Sequence, residues 1–225
     1  MSFTAGSTPT YSELFAAIQT WLKGRTDIAS GSTGTALIDD WIRMVEADIN
    51  HGFGVGGAIT PGLRVREMEA SATSTPDSNG QFSLPSGYIG MRAVISKNSP
   101  RRPLRPIDPL EAENLYGSRE SDVPDFYTIE GSTVQILPVS TTDVEVHYYT
   151  QIPALYTSNT TNWLLTKSPN TYIYGCRRHG AAWLQDNALE QASLGQFLAC
   201  VEALRADDVS QRYARANIMS LGQKA

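Results

Sequence analysis

Tyr11, Leu14, Phe15, Ile18, Trp21 and Leu22 recur at three- and four-residue spacing, the signature of one apolar helical stripe, and Thr10 with Glu13 is spaced as a capping box at its start. A turn-rich stretch follows from Gly24 to Gly34. Leu37, Trp41, Val45 and Ile49 then recur every four residues with Ile38 and Ile42 beside them, while Asp39, Asp40, Arg43 and Glu46 fall on the outward side. This predicts a second helix of about four turns. Residues His51 to Gly62 carry too many glycines for a helix and predict a loop or a close-packed corner.

From there the period changes to two. Leu63 to Glu69 alternates imperfectly and predicts a strand, Pro76 to Gly80 a turn, and Gln81 to Leu84 and Met91 to Ser96 further strands. Phe126 to Glu130, the Gly131-Ser132 turn, Thr133 to Leu137 and the alternating Val144 to Tyr149 extend the pattern, so an antiparallel sheet is expected over about 63–151. One short helix interrupts it, with Asp108 as N-cap, Pro109 at the first helical position, Glu111 completing a capping box and Gly117 as the stop. Ser168-Pro169 opens a third long helix carrying Tyr172, Ile173, Cys176, Trp183 and Leu184 inward. A fourth starts near Leu189 with Leu194, Phe197, Leu198, Val201 and Leu204 on its apolar face, and Asp207 to Ala225 reads as a frayed helix or mobile tail.

The order is helices, sheet, helices. The terminal pairs bury their stripes against each other, giving an α+β fold: a helical bundle from the N- and C-terminal helices with an inserted antiparallel β region. The expected divisions are 1–62 for the N-terminal helices, 63–151 for the inserted β region, 152–206 for the C-terminal helices and 207–225 for a C-terminal tail.

Composition narrows the function. The chain has 225 residues, of which 41% are apolar and 18% charged, and its formal net charge of −5 counts against general DNA binding. No apolar run approaches the ~20 residues of a membrane span, and the N-terminus lacks signal-peptide features, so an unexported, soluble chain is expected. Cys176 and Cys200 sit in helical segments, where buried thiols are commoner than a disulfide.

The three histidines form no metal-ligand pair at short spacing, and no metal or cofactor is expected. Cys176 and His179 share a helix face, but Tyr172 and Trp183 lie on the same stripe, which favours core packing over a thiolate pair. The glycines of residues 52–57 follow a helix instead of a strand, and no Gly-Lys-Ser/Thr closes them, so they do not read as a phosphate cradle. Asp39-Asp40 and Asp207-Asp208 occupy adjacent helical positions that diverge by about 100°, so they read as solvated faces. Nothing here points to an enzyme. Arg101, Arg102 and Arg105, set among prolines that favour an extended backbone, suit an acidic surface or a phosphate, or simply a solvated loop.

Several fragments, in consistent order along nearly the whole chain, resemble the head-to-tail adaptor (connector) proteins of tailed bacteriophages. They are Tyr11-Ser12-Glu13-Leu14 leading to Trp21-Leu22 and Arg25-Thr26-Asp27, Glu46 to Asn50, Arg66 to Glu69, Ser83 to Tyr88, Pro124 to Gly131, Ile136-Leu137-Pro138, Tyr148 to Pro153, and Asn162 to Leu165 through Pro169, Tyr172 and Tyr174-Gly175. The resemblance implies a structural virion protein at the head-tail junction, assembled in the host bacterial cytoplasm. It implies a homo-oligomeric ring, typically of twelve, docked beneath the portal protein, joined to tail or nozzle proteins, and continuing a channel through which genome DNA passes without sequence-specific binding. In such proteins the C-terminal segment commonly reaches the portal, which places a portal interface on Arg205, Arg212, Arg215, Met219 and Leu221. A subunit or tail interface falls on Arg101, Arg102, Arg105, Tyr148 and Tyr149, although consecutive strand positions point to opposite faces and one of the tyrosines belongs to a sheet core. Two competing readings are a monomeric carbohydrate- or peptide-binding module, with Trp163 and the tyrosines as stacking groups, and a hydrolase using Cys176 and His179.

Overall fold

The computed structural model describes residues 7–22, 32–55, 58–117 and 122–221, with the side chains of 32–36, 55, 58 and 213–221 outside that description. The chain divides into two compact units, Met1–Glu67 with Ile152–Ala225, and Met68–Gln151.

In the first unit, α1 (Tyr11–Trp21) starts on the expected capping box: the Thr10 backbone N–H donates to Glu13 Oε2 at 3.0 Å, and the Glu13 N–H donates to Thr10 Oγ1 at 3.4 Å. Helix α2 spans Ser32–His51, α4 Trp163–Lys167, α5 Pro169–Trp183 and α6 Asn187–Leu221. N- and C-terminal helices pack together, with α5 against α1, α2 and α6. Gly175 of α5 makes that approach possible: a Cβ there would lie 2.5 Å from Val45 Cγ2 on α2 and 3.2 Å from the Phe197 ring on α6. Leu14, Ile18, Ile38, Ile42, Val45, Tyr172 and Phe197 are fully buried in this unit. Each apolar side chain so buried contributes roughly 1.5–3 kcal/mol.

Several expectations are corrected here. The glycine-rich stretch is a hairpin of β1 (Gly52–Val55) and β2 (Ala58–Pro61), because Phe53 between its glycines has a partner to pack against, its ring 5.6 Å from Phe197. Gly52 has φ +84°, and a Cβ there would sit 2.3 Å from the Thr60 carbonyl oxygen. Leu63 to Met68 is not a strand; strand structure begins only at Glu69. The Leu63 N–H bonds the Ile49 carbonyl at 2.7 Å, and the Arg64 guanidinium bonds the Asn50 carbonyl at 2.9 Å, so this backbone serves the end of α2; a 3-10 turn follows at Arg66–Met68. Helix α4 was not foreseen; Asn162 caps it by accepting the Leu165 N–H at 2.8 Å. Trp183 is 49% exposed instead of inward, and Glu46, placed outward by periodicity, is buried. Apart from these corrections, α6 runs on to Leu221, within the helix-or-tail expectation for the stretch after 207.

The second unit is a seven-stranded sheet in the order β3-β9-β5-β6-β7-β8-β4, formed by β3 (Glu69–Ser74), β4 (Gln81–Ser83), β5 (Tyr88–Ser96), β6 (Arg102–Pro106), β7 (Phe126–Glu130), β8 (Thr133–Leu137) and β9 (Val144–Thr150). All pairs are antiparallel except β6 with β7, where Arg105 faces Phe126. Parallel neighbours need a crossover, and α3 (Pro109–Tyr116) lies within it. Asp108 caps α3 by accepting the Leu110 N–H at 2.9 Å. The core of this unit gathers Phe82, Val94, Leu104, Tyr127, Val134, Ile136, Val144, Val146 and Tyr148. The expected turn before β4 is present: Asp77 Oδ1 accepts the N–H groups of Asn79 at 2.8 Å and Gln81 at 2.9 Å.

Candidate functional site

The catalytic candidates, three residues apart on α5, have different surroundings. Cys176 is fully buried, and burial pushes its thiol well above the ordinary range, which disfavours the thiolate a nucleophile needs. His179 Nε2 lies 3.0 Å from Asp48 Oδ2, the same oxygen that accepts from Arg178 Nη1 at 2.9 Å, while the Arg178 guanidinium stacks 4.7 Å over Phe53. The residues around His179 thus tie α5 to α2 and to the β1–β2 hairpin. Among the described residues no group of three or more His, Cys, Asp or Glu side chains is placed to hold a metal ion. Nor is any helix long and apolar enough to cross a membrane.

The proposed portal residues lie on α6. Arg205 Nη1 donates to Glu202 at 2.5 Å and Nη2 to the Pro61 carbonyl at 2.6 Å. Arg212 Nε donates to Asp208 Oδ2 at 2.6 Å. Arg215, Met219 and Leu221 continue the same helix, with side chains outside the described residues. Asp207-Asp208 is not the pair of solvated carboxylates the spacing suggested. Asp208 is 7% exposed and accepts the Arg66 backbone N–H at 2.9 Å, and Asp207 pairs with Lys167 at 2.6 Å. Burial pushes the Asp208 carboxyl upward, but Arg212 and the Arg66 N–H outweigh it and hold the group below its ordinary range. The middle of α6 is therefore anchored by charge-assisted bonds.

On the sheet unit, Arg101 pairs with Glu145, Arg102 pairs with Asp125 at 2.5 Å, and Arg105 is exposed with its guanidinium 5.7 Å from the Phe126 ring. Tyr148 belongs to the sheet core and Tyr149, on the opposite face, is half-buried. The five residues thus divide into two arginines with intramolecular acidic partners, one stacked arginine, one core tyrosine and one partly accessible tyrosine. Trp163 lies on α4 in the first unit, whereas Tyr148 and Tyr149 belong to the second.

Sequence reasoning missed two features. Trp21 is 45% exposed, with Tyr174 edge-on at 5.9 Å and the Arg177 guanidinium 5.4 Å above it; Trp183 is exposed too, 6.5 Å from Trp41. Both tryptophans close the last turn of their helices, which is the sequence signal that periodicity alone passes over. The second is the buried cluster at Glu46, whose Oε1 accepts the Leu155 N–H at 2.9 Å and the Tyr172 hydroxyl at 3.0 Å. Tyr172 in turn accepts from Asn162 Nδ2 at 2.8 Å. One helical turn on, Asn50 Oδ1 accepts the Ile152 N–H at 3.0 Å, so α2 holds the chain where it returns from the sheet.

A family model, that of the SU10 adaptor protein, matches residues 9–220 of the chain. The chain belongs to the SU10 adaptor family. This is a family of phage head-tail adaptors, in agreement with the fragments that resembled such proteins, and its span takes in both compact units. No individual curated protein matches the chain. As a member of a structural adaptor family, the protein works by binding its neighbours in the virion at the head-tail junction.

Proposed function

We propose that this SU10 adaptor protein forms a closed ring of twelve copies beneath the portal, joins it to tail or nozzle proteins, and continues the channel for the genome. Family membership over residues 9–220 carries this reading. A heterologous interface repeated by rotation closes into a ring. At a formal −5 per chain, twelve copies would carry about −60, which disfavours sticking of DNA to the bore. The exposed Trp21 and Trp183 support an assembly role, since tryptophan anchors interfaces at little cost in side-chain entropy. The portal contact is placed on Arg205, Arg212, Arg215, Met219 and Leu221 of α6, and the contact with neighbouring subunits or tail on Arg101, Arg102, Arg105 and Tyr149, Tyr148 supporting it from within the sheet. The protein acts without catalysis or cofactor, and assembles in the host bacterial cytoplasm. Mass photometry of the chain mixed with its portal tests the reading. A shift to a portal-plus-ring mass is expected, and a mixture that never shifts would overturn it.

A further inference from the structure

In the sheet unit, a cavity of about 170 Å³ lies between α3 and the β4-β8-β7 edge of the sheet. Its floor is a row of polar side chains: Gln81, Gln135 and Thr128 stand directly opposite one another on three adjacent strands and therefore share a face, while their neighbours Phe82, Val134, Ile136 and Tyr127 fill the core on the other side. Thr128 is 4% exposed and Gln135 8%, yet Thr128 Oγ1 and Gln135 Oε1 have no hydrogen-bond partner. The Gln135 amide is fixed in orientation because its Nε2 donates to the Asn79 carbonyl at 2.7 Å and the Ile136 carbonyl at 3.1 Å, so the unpartnered atom is an acceptor. A buried acceptor left without a donor destabilises the fold, so the space in front of these two atoms calls for an occupant that donates.

The lining states what that occupant is. Glu130 brings a carboxylate to the cavity, and none of the described lining residues is basic. Water can satisfy the two orphan oxygens and solvate the exposed carboxylate, so an occupant that displaces it has to offer both N–H donors and a positive charge. A guanidinium offers both, with five N–H donors in one plane to share between the two acceptors and the carboxylate. We propose that this cavity is a receptor for a basic side chain, guanidinium before ammonium, of another polypeptide. That the side chain belongs to a neighbour in the virion rests on the adaptor reading; the preference of the cavity for guanidinium does not.

The test titrates the full-length, isotope-labelled chain with N-acetyl-arginine amide and with its neutral isostere N-acetyl-citrulline amide, following the Gln135 side-chain amide and the Thr128 backbone amide by NMR. A saturable shift at both positions is expected with the arginine compound, at least about tenfold weaker with citrulline. Glu130→Gln and Thr128→Val are each expected to weaken the response while resonances elsewhere stay in place, which shows that the variants fold. An equal response to the two compounds, or none at Gln135, would overturn the proposal. In a reconstruction of the assembled particle, an arginine or lysine of a neighbouring chain in the cavity supports it, and solvent alone overturns it. A chain that discriminates arginine from citrulline yet forms no ring would sink the adaptor-ring reading and leave the cavity assignment standing.

Discussion

Glu46 is an ionisable group held in the interior by two donors, the Leu155 N–H and the Tyr172 hydroxyl. Burial raises its carboxyl from the ordinary 4.5 to about 7, against the opposing pull of those two bonds and of Arg43. The folded chain therefore binds a proton that the unfolded chain has released between these two values, and the associated stability is present in full below about 4.5 and is lost as pH rises through about 7. The expected loss is on the order of 3 kcal/mol across that window. Glu46→Gln keeps an acceptor for both donors and cannot ionise. Urea denaturation at several pH values should show stability falling between mildly acidic and mildly alkaline buffer in the native chain, with a flatter profile in Glu46→Gln. Parallel profiles would mean that Glu46 stays neutral or stays charged throughout. Asp207 and Asp208, both held below their ordinary range, act in a separate acid window and in the opposite sense. Cys176 offers a second check at this scale. Its buried thiol should resist iodoacetamide in the folded chain and react only after denaturation; rapid native labelling at this position would revive the nucleophile reading.

Among the elements, α5 occupies the central place in its unit, and its glycines set how closely α2 and α6 approach. Gly175→Ala drives a methyl to 2.5 Å from Val45 Cγ2, an overpacking that should cost about 1–3 kcal/mol in thermal or chemical unfolding. Gly195 on α6 has nothing within 4 Å of an added Cβ, so Gly195→Ala should stabilise by up to about 1 kcal/mol through helix propensity alone. If both substitutions moved stability the same way, close packing at Gly175 would not be the operative effect. The same contrast explains what the sequence made legible. Helix starts were readable because Thr10 with Glu13 and Asp108 with Pro109 satisfy backbone donors locally. The strand expected from Leu63 starts only at Glu69, because the backbone groups before it are claimed by the end of α2 and, at Arg66, by Asp208, partners distant in sequence. The β1–β2 hairpin failed for the opposite reason: composition pointed to a loop, whereas Phe53 had a ring on α6 to pack against. Of the candidate interface residues, the arginine side chains were visible as a cluster, but their partners Glu145 and Asp125 were not, since each lies on another strand or at its margin.

At the scale of the whole molecule, the proposed portal contact has to be separated from the interactions that hold the chain together. Arg205 and Arg212 each make intramolecular bonds, to Glu202 and the Pro61 carbonyl and to Asp208, so their replacement by alanine would perturb the fold along with any docking. Asp208 itself receives the Arg66 N–H, and Lys167 bridges Glu67 and Asp207, so a cut at 206 removes part of the framework. A cut immediately after Arg212 spares all of these and removes only the last part of α6 and the residues beyond it, including Arg215, Met219 and Leu221. The truncated chain keeps these anchoring bonds and is expected to stay folded, with its cooperative unfolding transition as the check. Its association with the portal, measured by mass photometry at matched salt, should weaken by at least about tenfold, one 1.4 kcal/mol step. Stability preserved with docking unchanged would move the portal contact to another surface, and the exposed pair Trp21 and Trp183 would then be the surface to substitute next.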